Sequence, residues 1–213
     1  MAAKSKSSNK WLTEHFSDQY VKKSQKQGFY ARSAYKLLEI DDKYKLLKPG
    51  IRVVDLGAAP GGWSQVVVKK AKNSKIFALD ILPVKPVAGV KVLMGDFTEQ
   101  ETLDDLVILL KNEPLDLILS DMAPNFSGHK AVDIPRSMYL VELAVDFARL
   151  MLSQGGALVV KVFQGEGFSE LLQSLRQEFK RVSVYKPPAS RSRSKELYLV
   201  CQDKAEKPLY NSN

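Results

Sequence analysis

The chain has one cysteine, Cys201, so no disulfide can form within it. Cys201 sits in the apolar run Leu197-Tyr198-Leu199-Val200-Cys201 and reads as a small core residue. Histidine is nearly as scarce. His15 and His129 lie far apart, neither reads as catalytic, and no Cys/His cluster exists to hold a metal. No apolar run approaches the ~20 residues of a membrane span. The lysines and serines at the start are not followed by the apolar stretch of a secretory signal. These absences lead us to expect a soluble cytoplasmic protein with no membrane partner, monomeric by default. Acidic residues are the minority charge: 24 Asp and Glu face 32 Lys and Arg, a net charge of +8. That balance points to a polyanionic partner, nucleic acid before membrane surface.

What is present suits one globular domain. The 213 residues are 45% hydrophobic and 26% charged, enough for a substantial core. Residues 1–10 read as a flexible basic tail, residues 11–203 as a single domain, and residues 204–213 as a second tail. Within the domain, residues 11–49 form a helical extension that faces RNA. Eleven Lys and Arg stand against five Asp and Glu over residues 1–50, so most of the net charge is concentrated there. Trp11, Leu12, His15 and Phe16 make one apolar stripe, and Tyr35, Leu37, Leu38 and Ile40 another. Between them, Tyr20 to Ser33 interleaves Lys22, Lys23, Lys26 and Arg32 with aromatics, a mixture suited to phosphate contact and base stacking.

From Ile51 onward the pattern alternates. Strands are predicted at Ile51–Leu56, Lys75–Asp80, Val90–Met94, Leu115–Ser120, Ala157–Phe163, Arg181–Tyr185 and Glu196–Cys201. Helices are predicted at Ser64–Ala71 with its start at Gly61, at Glu99–Lys111, from Pro135 to about Leu152, and at Phe168–Phe179. Pro135 suits the first turn of its helix, and Gly155-Gly156 ends it. Strands separated by helices imply a largely parallel sheet covered on both faces. The last two strands have only a basic loop between them, Pro187 to Lys195, so one of them runs antiparallel.

Asp55-Leu56-Gly57-Ala58-Ala59-Pro60-Gly61-Gly62-Trp63 joins the first strand to its helix by a glycine-rich turn. Ligands of open α/β sheets sit at the carboxyl ends of the strands, and four strands here end in Asp55, Asp80, Asp96 and Asp121. Carboxylates repel phosphates and accept from hydroxyls and amines. This edge therefore suits a nucleoside bearing an amino acid, S-adenosylmethionine, with Asp80 on the ribose, Asp96 on the adenine amine and Trp63 in apolar contact. A nicotinamide dinucleotide is disfavoured, because its G-x-G-x-x-G fingerprint needs glycine where Ala59 stands and Pro60 removes a donor. Lys161 interrupts the apolar run Leu158 to Phe163, where an ammonium is rarely buried unpaired. We read it as a general base whose pKa is lowered by a second lysine and whose orientation is fixed by a carboxylate. Lys36, Asp121 and Glu196 are the candidate partners.

The motifs at Asp55–Gln65, Ser120-Asp121-Met122-Ala123-Pro124-Asn125, Val132-Asp133-Ile134-Pro135-Arg136 and Val160-Lys161-Val162-Phe163-Gln164-Gly165 resemble the bacterial FtsJ/RrmJ (RlmE) family. That family consists of 23S rRNA uridine 2′-O-ribose methyltransferases. The resemblance runs from about Trp11 to Cys201. It implies a Rossmann-like, S-adenosylmethionine-dependent methyltransferase fold: α/β, with a mostly parallel seven-stranded sheet flanked by helices. It also implies a catalytic tetrad at Lys36, Asp121, Lys161 and Glu196, with Lys161 as proton acceptor. Methyl-donor contacts are implied at Gly61, Trp63, Asp80, Asp96 and Asp121, with no metal required. The implied substrate is a uridine of 23S rRNA within the large ribosomal subunit. Rival readings are the same chemistry on tRNA or an mRNA cap, and an RNA-binding ribosome-assembly factor.

Overall fold

A computed structural model of the chain describes residues 18–206. The tail at residues 1–10 and the stripe Trp11 to Phe16 lie outside the described residues, as do residues 207–213. The elements, in chain order, are α1 (Gln19–Gln27), α2 (Ala34–Tyr44), β1 (Arg52–Leu56), α3 (Gly62–Lys70), β2 (Lys75–Asp80), β3 (Val90–Met94) and α4 (Gln100–Leu109). They continue with β4 (Leu115–Ser120), α5 (Lys130–Met151), β5 (Leu152–Phe163), α6 (Phe168–Glu178), β6 (Phe179–Tyr185) and β7 (Glu196–Lys204). The seven strands form one sheet in the order β3-β2-β1-β4-β5-β7-β6. All pairings among the first five are parallel, and β7 runs antiparallel to both its neighbours. The Rossmann-like methyltransferase arrangement expected from the sequence is therefore the observed one. No described helix is long and apolar enough to cross a membrane.

Alternation along the central strands builds two cores. Val54, Leu56, Ile118, Leu158 and Val160 face α4, α5 and α6, meeting Leu106, Val141, Val145 and Leu175. Their neighbours Val53, Leu117, Leu119 and Val159 face α2 and α3, meeting Leu37, Ile40, Val66 and Val67. Lys161 shares the parity of Val159, so it belongs to the α2 side, near the carboxyl ends of the strands.

Several boundaries differ from the sequence reading. α5 begins at Lys130, so Pro135 is the sixth helical residue and not in the first turn. Proline there forfeits the bond its own N–H would make to Ala131 O and crowds that carbonyl. The start is fixed by Asp133 in the first turn, whose carboxylate reaches back to accept from Ser127 N, Ser127 Oγ and Gly128 N. At its other end α5 stops at Met151, and Gly155-Gly156 lies inside β5. Pairing with β4 jumps from Leu115↔Leu152 to Leu117↔Ala157, and Gly155, at φ +75°, absorbs the irregularity. β7 also continues past its expected end at Cys201, to Lys204, whose ammonium donates to the carbonyls of Ala148, Arg149 and Leu152.

Candidate active site

The first turn after β1 is locked to its neighbours through the backbone. Gly57 N and Ala58 N both donate to Leu79 O, at 2.9 and 3.2 Å, and Asp121 N donates to Leu56 O at 3.1 Å. Asp80, at the end of β2, accepts from Ala59 N through one oxygen and from Leu82 N through the other, each at 2.8 Å. Asp96 holds its own turn by accepting from Thr98 N and Thr98 Oγ1. Between these turns opens a cleft of about 650 Å³. Asp80, Asp96 and Asp121 line it, with Leu79, Ile81, Phe97 and Met122 as apolar wall. A nucleoside with an attached amino acid fits this set: carboxylates with lone pairs left for hydroxyls and an amine, and flat apolar surface for a base.

Gly61 and Trp63 do not line the cleft. Gly61, at φ +113°, is the N-cap of α3, and a side chain there would press on Tyr30. Trp63 is buried, its indole N–H donates to Ser33 O at 2.8 Å, and its ring lies 5.8 Å from that of Tyr198. The apolar contact of this ring is thus made within the protein.

The four residues expected in the catalytic half converge. Lys161 Nζ lies 3.1 Å from Asp121 Oδ1 and also donates to the Asp121 carbonyl. Lys36 Nζ lies 2.8 Å from Glu196 Oε1. Lys36 and Lys161 are each only 8% exposed, and each has a carboxylate partner. Tyr198 links the two pairs. Its hydroxyl donates to Asp121 Oδ1 at 2.7 Å, and the Lys36 ammonium lies 5.7 Å from its ring centroid. Sequence reasoning missed Tyr198 by taking it as part of an apolar run, although the two-residue period of β7 puts it on the face of Glu196. Burial, reinforced by the carboxylates of Asp121 and Glu196, pushes the Tyr198 phenol well above its usual range, so it stays a donor. Burial alone would raise the Asp121 carboxyl too. The charges of Lys161 and Lys36 and the bonds from Tyr198 and Lys161 outweigh it and hold Asp121 below the ordinary carboxylate range.

Asp55 stands apart from the other three strand-end carboxylates. It is fully buried behind the turn, one oxygen accepting from Ser64 Oγ at 2.7 Å and the other without a partner. Burial, against the Ser64 bond and with help from Asp121 and Asp80, pushes it up to about 7 from 3.8. Between those values the folded chain holds a proton the unfolded chain has released. The associated stability is fully present below the unfolded value and is lost as pH rises to about 7. Urea unfolding should therefore show Asp55→Asn gaining on wild type by about 2 kcal/mol between pH 5 and pH 7, then levelling off. A difference independent of pH would mean that Asp55 ionises as an ordinary carboxylate.

The basic surface is divided in use. Lys22, Lys23 and Lys26 on α1 are exposed, as are Arg193 and Lys195 in the loop between β6 and β7. Arg32 is instead a clamp: it pairs with Asp18 at 2.9 Å and donates to Ala189 O at 2.7 Å. Glu39 accepts from Ala189 N, and Tyr20 donates to Glu39. The α1–α2 arm and the basic loop are therefore bolted to one another beside Lys36 and Glu196.

Residues 29–204 match the family model of FtsJ-like methyltransferases. The chain is 55% identical over 201 residues to ribosomal RNA large subunit methyltransferase E of Legionella pneumophila strain Corby, covering 94% of this chain and 98% of that one. It is 54% identical over 200 residues to the protein of the same name in Hahella chejuensis, covering 93% and 97%. Among solved structures, one from Plasmodium falciparum described as a ribosomal RNA methyltransferase superposes with a TM-score of 0.76 at 30% identity. It covers 84% of this chain and 100% of that one.

Proposed function

Since the chain belongs to the FtsJ-like methyltransferase family, we propose that it methylates the 2′-oxygen of a uridine ribose in 23S rRNA, within the large ribosomal subunit. The observation that carries this reading is the double use of Asp121: it lines the cleft and it also holds Lys161. One carboxylate thus joins a pocket shaped for S-adenosylmethionine to a buried lysine.

In this proposal Asp80 takes the donor's ribose hydroxyls, Asp96 the adenine amine and Asp121 the amino-acid end. Gly61, whose N–H is held by Ala58 O, and Trp63 set the start of α3 beside the cleft, and the positive end of that helix favours a carboxylate there. When bound, S-adenosylmethionine supplies a sulfonium methyl that is open to direct displacement by an oxygen nucleophile. Lys161, after releasing its own proton, accepts the proton of the 2′-hydroxyl as that oxygen forms its new bond. Asp121 fixes the direction of the Lys161 amine, and Tyr198 fixes Asp121. Lys36 and Glu196 close the network on the side of the RNA-facing arm. No step assigned to these side chains calls for a metal. The exposed lysines of α1 and the basic loop supply phosphate contacts on the same edge. We further propose that the protein acts as a monomer in the cytoplasm.

The test is to incubate the protein and methyl-labelled S-adenosylmethionine separately with large subunits, naked rRNA and tRNA, and to map the labelled nucleotide. Label on a ribose of large-subunit rRNA, resistant to alkaline cleavage at that one linkage, is the expected result. Label confined to tRNA, or a methyl on a base, would overturn it.

A further inference from the structure

Arg136 of the motif Val132-Asp133-Ile134-Pro135-Arg136 lines the donor cleft, and the motif also organises a loop that packs on Phe163, two residues beyond Lys161. Asp133 accepts three bonds from Ser127 and Gly128, which ties down the segment between β4 and α5. The turn after β5 packs on the same place, where a side chain at Gly165 would strike Ile134 Cγ2 at 2.7 Å. Held between these two anchors is Phe126. The residue is 54% exposed, and its ring stands edge to face with that of Phe163, centroids 5.3 Å apart.

Phe163 is no bystander. It lies two residues beyond Lys161 on β5 and therefore on the same face. Its partner across the ladder is Glu196, and the partner of Lys161 is Tyr198. One patch of sheet thus presents Lys161, Phe163, Glu196 and Tyr198, and Phe126 extends its aromatic part outward. A large aromatic ring fixed in water next to a buried lysine has no role in either core. Ribose carries its base on the carbon adjacent to the one bearing the 2′-hydroxyl. Any nucleotide that brings that hydroxyl to Lys161 brings a base within reach of this patch. Unstacked bases in RNA are commonly held by stacking on such rings.

We propose that Phe126, braced by Phe163, is the stacking platform for the base of the nucleotide being methylated, and so a substrate-binding residue of this site. The inference rests on the 2′-O-methylation reading above. Stacking of one base is consistent with an approximately 5- to 100-fold loss on truncation. Phe126→Ala should therefore raise KM for large-subunit rRNA by that factor, with kcat, S-adenosylmethionine affinity and melting temperature near wild type. Phe126→Trp should restore KM, and its added indole fluorescence should be quenched when RNA binds, which a purely structural ring would not show. Normal methyl transfer by both wild type and Phe126→Ala, with equal KM, would overturn this inference and leave the functional reading intact. Absence of transfer by wild type to any RNA would overturn both. A loss in Phe126→Ala that appears equally in donor affinity would assign the ring to loop support and also overturn it.

Discussion

Lys161→Ala is expected to lose about a hundred- to ten-thousandfold in methyl transfer while still binding S-adenosylmethionine, as read by single-turnover transfer and by calorimetry. That factor corresponds to about 3–5 kcal/mol of barrier, the ordinary contribution of a positioned base. Donor binding should survive because the cleft is walled by Asp80, Asp96 and apolar side chains, and Lys161 is not part of that wall. The Asp121 carboxylate, deprived of Lys161, keeps the bond from Tyr198 and the charge of Lys36 nearby. Lys161→Arg separates two meanings of the loss. Arginine retains a positive charge beside Asp121 but does not give up a proton in proteins, so it orients without accepting. If the lysine accepts the proton, the arginine variant should be nearly as inactive as the alanine variant. Substantial turnover by Lys161→Arg would reassign Lys161 to steering the 2′-oxygen.

The same lysine shows what the sequence could disclose. Lys161 was legible because it contradicts its surroundings, a charge in a run of apolar residues. The strands at Lys75–Asp80, Val90–Met94 and Leu115–Ser120 were legible to the residue, because each is a short apolar run with the chain turned at or just beyond its end. Direction was harder. Four aspartates at strand ends suggested four carboxylates facing a ligand, but a strand end does not determine which way its side chain points. Three line the cleft, and Asp55 turns behind the loop to Ser64. Trp63 looked like a ligand contact for the same reason and packs instead against Tyr198. Arg32 looked like a phosphate contact, until the fold brought Asp18 and Ala189 to it. These residues report a local chemistry, whereas their partners come from distant elements. Gly155-Gly156 misled in another way: glycine marks where a chain bends, and here the bend lies within β5, not at the end of α5.

Gly57 carries the second large effect, and its neighbour Gly50 supplies the measure. Both sit in the left-handed region, Gly57 at φ +74° and Gly50 at φ +79°. Any side chain at either position bears about 1–2 kcal/mol of backbone strain. The surroundings differ. A methyl group on Gly50 would meet nothing within 4 Å, whereas on Gly57 it would meet Met122 Cγ at 2.8 Å and Met122 N and Cα at 2.9 Å. Two of those atoms are backbone, and they cannot swing aside as a side chain can. Met122 follows Asp121, whose N–H is bonded to Leu56 O just before Gly57. Relief of the clash therefore moves the carboxylate shared by the cleft and Lys161. Crowding of this kind costs about another 1–3 kcal/mol. Gly50→Ala should consequently lower stability by the strain alone and leave methyl transfer unchanged. Gly57→Ala should lose about 2–5 kcal/mol in all, and its folded fraction should transfer methyl poorly with weakened donor affinity. Denaturant unfolding of both variants, with transfer assayed under conditions where each is folded, checks the pair. Equal stability losses with equal activity would show that Met122 yields freely and that the close approach of the two loops does not position Asp121.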